Sequence, residues 1–217
     1  MKTSFHRMLV AGVVLLSAAA VCAAPETKTD AKTQTPSPQA QPPVLSPEQQ
    51  AMMARMTEYS TPNEHHDVLK SLEGTWKTQV KFWMDPKGEP EVSEGTSDAK
   101  IIFGGRFLEQ TFSGTAMGKP FEGRGIIGYD NLRKEYTGIW FDNMATGIMT
   151  SSGKYDPDTK IITEEGSLSC PITGEAHRWY RSAWTVSDRD HNTYQSYSHD
   201  ARGQEYKSLE IHYTRSP

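Results

Sequence analysis

From Thr75 onward, apolar and polar side chains alternate with a period of two. Trp76, Thr78, Val80, Phe82 and Met84 fall on one side, and Thr75, Lys77, Gln79, Lys81 and Trp83 on the other. That is the pattern of a half-buried strand, with the first set facing a core. Strand-like segments recur near residues 95–103, 106–113, 121–129, 135–142 and 146–155, then near 160–168, 176–187, 192–199 and 205–214. Turn-forming runs punctuate them, among them Asp85-Pro86-Lys87-Gly88, Gly104-Gly105, Met117-Gly118-Lys119-Pro120, Asp156-Pro157-Asp158 and Asp200-Ala201-Arg202-Gly203. About ten strands with hairpin-length links, and no helix long enough for a crossover, argue against a parallel sheet. Even spacing favours an all-β fold, an antiparallel up-and-down barrel of about ten strands, over a sandwich. Closure would also remove exposed strand edges.

Ahead of the strands the period is helical, and two short helices are expected over residues 46–72. Ser46-Pro47-Glu48-Gln49 offers a Ser cap, a first-turn Pro and a capping-box Gln, opening a helix to about Tyr59 with Met52, Met53 and Met56 as a packing stripe. Thr61-Pro62-Asn63-Glu64 repeats the capping pattern and opens a helix to about Leu72. His65, Val68, Leu69 and Leu72 share one face of it, placing His65 against a barrel end and leaving His66 toward solvent. The barrel domain is then residues 73–217.

The first 45 residues are of another kind. Residues 1–23 read as a signal peptide: Lys2, His6 and Arg7, then the apolar run Met8 to Val21, then small residues to a cleavage point near Ala23. The run is too short and Ala-rich for a transmembrane segment. Cys22 allows an alternative, a lipoprotein acylated there, although Val21 stands where that processing wants a smaller residue. Residues 24–45 form a Pro/Thr/Gln-rich linker with too little apolar surface to offset the entropy of ordering. The expected compartment is periplasmic or secreted. Cleavage near Ala23 leaves Cys170 as the lone cysteine, so no internal disulfide is available.

Charge narrows the function classes. The chain carries 23 Lys and Arg against 27 Asp and Glu; losing Lys2 and Arg7 with the leader makes this 21 against 27, or −6. A mildly acidic chain without a basic cluster is not the expected partner of nucleic acid or of an anionic membrane.

Leu72-Glu73-Gly74-Thr75-Trp76 resembles the Gly-x-Trp entry to the first strand of the calycins, the lipocalins and fatty-acid-binding proteins. The resemblance implies that Trp76 packs at the closed end beneath a basic residue near the last strand, for which Tyr213-Thr214-Arg215 supplies Arg215. Trp76 and Arg215 are therefore assigned to barrel closure. A more specific set runs through His65 to Arg215: Trp83-Met84-Asp85-Pro86, Gly104-Gly105-Arg106-Phe107-Leu108, Pro120-Phe121-Glu122-Gly123-Arg124-Gly125, Gly128-Tyr129-Asp130, Trp140-Phe141-Asp142 and Thr146-Gly147-Ile148-Met149. It is similar to the domain-of-unknown-function 1579 family. That resemblance implies a calycin-like barrel and no established activity; Cys170-Pro171 departs from the family's more usual acidic residue before the proline.

Candidate chemistry is sparse. His65, His66, His177, His191, His199 and His212 lack any zinc or iron spacing, so no metal site is expected. Haem through His212 fits by position, but Leu209, Ile211 and Tyr213 form the apolar face of the last strand and His212 falls on the other, so no cofactor is assigned. Glu164-Glu165 are neighbours on a strand and point to opposite faces. No nucleophile elbow is present. Gly123-Arg124-Gly125 lacks the rest of a phosphate loop and is read as a place where the strand bends or another group approaches its backbone. Polar residues in aromatic strand context are the candidate ligand contacts: Arg106, Glu109, Arg124, Tyr129, Trp140, Asp142 and Arg181. An interior Arg paired with an acid would suit a ligand bearing a carboxylate or polar head.

Three functional readings follow. The leading one is an exported barrel binding a small, partly apolar molecule in its interior. A small barrel enzyme, an isomerase or hydrolase, would require Arg124, Trp140 and Asp142 to converge. A structural or interaction module of the cell envelope would have a filled interior.

Overall fold

A computed structural model describes residues 45–217. The expected leader, Cys22 and all but the last residue of the expected linker lie outside the described residues. Two helices, α1 (Pro47–Ser60) and α2 (Glu64–Ser71), precede ten strands: β1 (Gly74–Phe82), β2 (Glu91–Ile102), β3 (Phe107–Ala116), β4 (Lys119–Asp130), β5 (Glu135–Asp142), β6 (Met149–Asp156), β7 (Ile161–Cys170), β8 (Glu175–Val186), β9 (His191–His199) and β10 (Glu205–Arg215). Each strand pairs antiparallel with its neighbours in sequence, and β1 pairs with β10, giving a closed up-and-down barrel. β2 begins four residues before its expected start, because Glu91-Val92-Ser93-Glu94 pairs with β1 despite its polarity.

The helix starts follow from side-chain caps. Ser46 Oγ accepts from the Gln49 N–H at 3.2 Å, and Gln49 Oε1 accepts from the Ser46 N–H at 2.8 Å. Asn63, and not Thr61, caps α2: its Oδ1 accepts from the His65 N–H at 3.1 Å, while His66 Nδ1 accepts from the Asn63 N–H at 3.1 Å. That reciprocal bond turns the His66 ring inward, so His66 is buried and not solvent-facing. Burial, and then the neighbouring His65, hold its pKa below the ordinary value. The Met stripe of α1 also differs from expectation: Met52, Met53 and Met56 are all exposed.

Helix α2 covers one end of the barrel. Leu69 and Leu72 are fully buried with Trp76, Leu108, Tyr136 and Ile162. Asn131, in the β4–β5 turn, fixes the α1–α2 corner by donating to the carbonyls of Tyr59 at 3.0 Å and Thr61 at 2.8 Å. Tyr136 donates its hydroxyl to the His65 carbonyl at 2.9 Å.

The closing ladder places Trp76 opposite Arg215. The guanidinium carbon lies 4.1 Å from the centre of the Trp76 ring. Arg215 Nη1 donates to the Glu73 carbonyl at 2.9 Å and Nε to the Arg189 carbonyl at 2.8 Å. Trp76 donates its indole N–H to the Leu72 carbonyl at 3.1 Å, tying α2 to the same point. Gly74 makes room for this arrangement: it adopts φ +142°, and a Cβ there would sit 2.0 Å from Arg215 Nη1.

Gly74→Ala is therefore expected to cost roughly 1–3 kcal/mol through strain and collision, and Arg215→Ala about 1–2 kcal/mol through the lost cation–π and hydrogen-bond contacts. Chemical denaturation of the double variant should show less than the summed loss, because the collision disappears with the guanidinium. Strict additivity would disprove the contact.

Candidate functional site

Strand alternation sends Leu108, Gln110 and Phe112 of β3 inward, and likewise Phe121, Gly123, Gly125 and Ile127 of β4, and Tyr136, Gly138, Trp140 and Asp142 of β5. Large side chains fill the α2 end. Toward the other end small ones, including Ala116, Gly125, Gly138 and Ser151, line a cavity of about 410 Å3. Met117 and Met144, on the β3–β4 and β5–β6 turns, form its lip.

Trp140 and Asp142 share one wall. As i and i+2 on a strand they face the same way, and the indole N–H donates to Asp142 Oδ2 at 3.0 Å. Asp142 Oδ1 accepts from the Met144 N–H at 2.9 Å, which fixes the start of the β5–β6 turn. The indole lies flat against β4: a Cβ on Gly123 would be 2.2 Å from Trp140 Cζ2, and one on Gly125 would be 2.9 Å from Cε3. The glycines around Arg124 thus accommodate another side chain.

Deeper in, Glu164 of β7 is 6% exposed. Ser151 donates to its Oε1 at 3.2 Å, across from Gly138, where a Cβ would sit 3.4 Å from the same oxygen. Among the described residues nothing hydrogen-bonds Oε2, and no cation pairs with the carboxyl. Burial pushes the Glu164 carboxyl up to about 7, with the Ser151 bond opposing. Tyr180 also lines the cavity, its hydroxyl pushed above the ordinary value by burial. Gln110 donates to Ser97 Oγ at 2.9 Å and to the Tyr213 hydroxyl at 3.4 Å, and burial takes that tyrosine up to about 12.

Two of the seven expected contacts, Trp140 and Asp142, meet in the cavity wall. Tyr129 points inward but at the filled end, stacked on His65 with ring centres 4.1 Å apart. The arginines are on the wrong side of the wall for an interior ligand. Arg106 sits in the β2–β3 turn, donating to Phe103 and Ser60 carbonyls at 2.9 and 2.7 Å. Arg124 is exposed on the outer face of β4, and Glu109 projects outward from β3 opposite Lys100. Arg181 is also outside, donating to Glu205 at 2.9 Å and lying over Tyr197 at 4.1 Å. Arg124, Trp140 and Asp142 consequently do not converge. His212 is exposed on the outer face, 3.0 Å from Glu210. Among the described residues no three His, Cys, Asp or Glu side chains gather as a metal would require. Cys170 is a half-buried free thiol.

Glu164 was the residue missed. Its signal was present: Ile162, Glu164, Gly166 and Leu168 share a face, so an acid stands on the apolar side of its strand.

The sequence profile of a family of proteins of unknown function, DUF1579, matches residues 61–215. The chain belongs to the DUF1579 family. Among the solved structures to which its barrel is similar are the following two. Rv2717c from M. tuberculosis is 16% identical, with a TM-score of 0.54 over 72% of this chain and 100% of that one. The S-type phycobiliprotein lyase from Guillardia theta is 6% identical, with a TM-score of 0.50 over 75% of this chain and 97% of that one. At such identities the likeness of this DUF1579 protein to both is one of fold. A comparison with curated proteins finds no match.

The raised Glu164 carboxyl predicts a signed pH effect. Between its ordinary value of 4.5 and about 7, the folded state keeps a proton that the unfolded chain has released, so stability falls as pH rises. Glu164→Gln should lack this slope and gain on the order of 3 kcal/mol relative to wild type above pH 7. His66, whose lowered pKa gives the opposite slope below its ordinary value of 6.5, is present in both proteins and cancels. Urea titrations across this range measure the difference; parallel curves would disprove the raised pKa.

Proposed function

We propose that this protein is an exported carrier that binds a small, partly apolar molecule inside its barrel. One observation supports the reading above others: the cavity of about 410 Å3, open at the end opposite α2 and walled by Phe82, Phe112, Phe121, Trp140 and Ile211. Its volume falls in the range of roughly 300–1,000 Å3 usual for small-molecule sites, and its make-up is mostly apolar with a few placed polar groups. Trp140 and Asp142 are the proposed contacts near the mouth, and Phe112 and Ile211 the body of the site. Export is read from the charged start, apolar run and small residues of the first 23 positions. No helix among the described residues is long and apolar enough to cross a membrane.

Native mass spectrometry with solvent extraction, on protein purified from its own host, should find a bound small molecule. An environment-sensitive apolar dye should enter the emptied barrel and be excluded by Ala116→Trp at the mouth. A barrel that admits no apolar probe would overturn the carrier reading. Export predicts a mature N-terminus near Ala24 in the host; an intact Met1 would refute it.

A further inference from the structure

We infer that the molecule held in this cavity is a lipophilic organic cation, an amine whose ammonium group seats against Glu164 while its apolar body runs past Phe112 and Trp140 to the mouth. This deepens the carrier reading and rests on the cavity being a ligand site. The charge of the lining sets the class. Among the described residues three carboxyls line it, Glu91, Asp142 and Glu164, and neither Lys nor Arg does.

Two of the three acids are already engaged. Glu91 accepts from the Met117 N–H at 2.8 Å, and Asp142 accepts from Met144 and Trp140. Glu164 differs in being buried: it is 6% exposed, takes one hydrogen bond at 3.2 Å, and has an oxygen without a partner among the described residues. Gly138, without a side chain, lets Ser151 and Glu164 come close to the β5 backbone: a Cβ there would sit 2.9 Å from Ser151 Oγ and 3.4 Å from Glu164 Oε1.

A buried carboxylate is stable only with a countercharge or several donors, and the described residues supply neither. An alkylammonium ion supplies both, with a positive charge and up to three N–H donors. The aromatic ring of Tyr180, also in the lining, adds a surface that favours a cation. Any proton on Glu164 leaves to solvent as the ammonium enters, so charge is balanced inside the barrel. A fatty-acid anion has no such place. Its carboxylate would meet three acids and no base, since Arg106, Arg124 and Arg181 all lie outside the cavity.

The test compares octylamine, octan-1-ol and octanoate, three probes of one chain length, by isothermal titration calorimetry and native mass spectrometry at pH 7.5. Wild type is expected to bind octylamine at least tenfold more tightly than octanol, and octanoate more weakly than either. Glu164→Gln keeps the shape and the Ser151 bond, and should bring octylamine to within threefold of octanol. Octanol binding by that variant also shows that its barrel is intact, and the wild-type comparison needs no variant. Octanol or octanoate binding as tightly as octylamine in wild type would overturn the inference while leaving the carrier reading standing. So would an amine preference that survives Glu164→Gln. Failure of all three to bind would overturn both.

Discussion

Between β1 and β10 the sheet closes on itself through the ladder from Trp76 to Phe82. A closed ring of hydrogen-bonded strands has its circumference fixed by strand number and stagger. It cannot contract around its contents without breaking ladders, so its interior must be filled by side chains or stand open. Both occur here. At the α2 end Trp76, Tyr136, Leu108 and Ile162 pack against Leu69 and Leu72. Toward the other end inward positions pass to Gly125, Gly138, Ser151 and Ala116, and the ring encloses space.

The same closure depends on a side chain at the rim of the barrel. Arg215 reaches from the last strand to the Glu73 carbonyl and covers the Trp76 ring. Trp76 in turn holds the Leu72 carbonyl at the end of α2. Three parts of the chain, helix, first strand and last strand, are thereby joined at one point. Gly74 is glycine because that point has no room for a Cβ. The filled end can therefore be rigid while the open end, built of turns such as Met117-Gly118, remains accessible.

The fold was legible because a half-buried strand writes its parity in alternating residue types. In β1 and β10 the apolar faces Trp76-Thr78-Val80-Phe82 and Leu209-Ile211-Tyr213 were readable and do face inward, whereas Met84, expected on the same face, lies past the end of β1 and is exposed. Parity was hidden where glycine occupies the inner face. In β4 the inward run is Phe121, Gly123, Gly125, Ile127 and Tyr129, so Arg124 is conspicuous between two residues with no side chain, although it points outward. Arg181 was misplaced for a related reason. It stands between Tyr180 and Ser182 in sequence, whereas its own aromatic neighbour in space is Tyr197 on the outer face. His66 was misread because a capping bond to Asn63, invisible to helical periodicity, turns it inward. The size of the cavity was not legible at all, since it depends on how ten strands set one radius.

Glu164 is the residue that packing alone does not explain. A glutamine of the same shape could accept the Ser151 hydrogen bond without a charge to desolvate, and a methionine could extend the apolar wall. In the empty barrel the carboxyl resists ionisation and so makes the fold less stable at neutral pH than an amide would. Nothing else in the described structure draws on its charge: it bridges no strands through an ion pair and caps no turn. Depressed carboxylates elsewhere show the contrast. Glu210, although desolvation opposes it, is held down to about 2 by Lys207, Gln195 and His212 on the outer face, where its charge joins three neighbours. A charge that stabilises nothing among the described residues suits a countercharge that arrives with the proposed contents of the cavity.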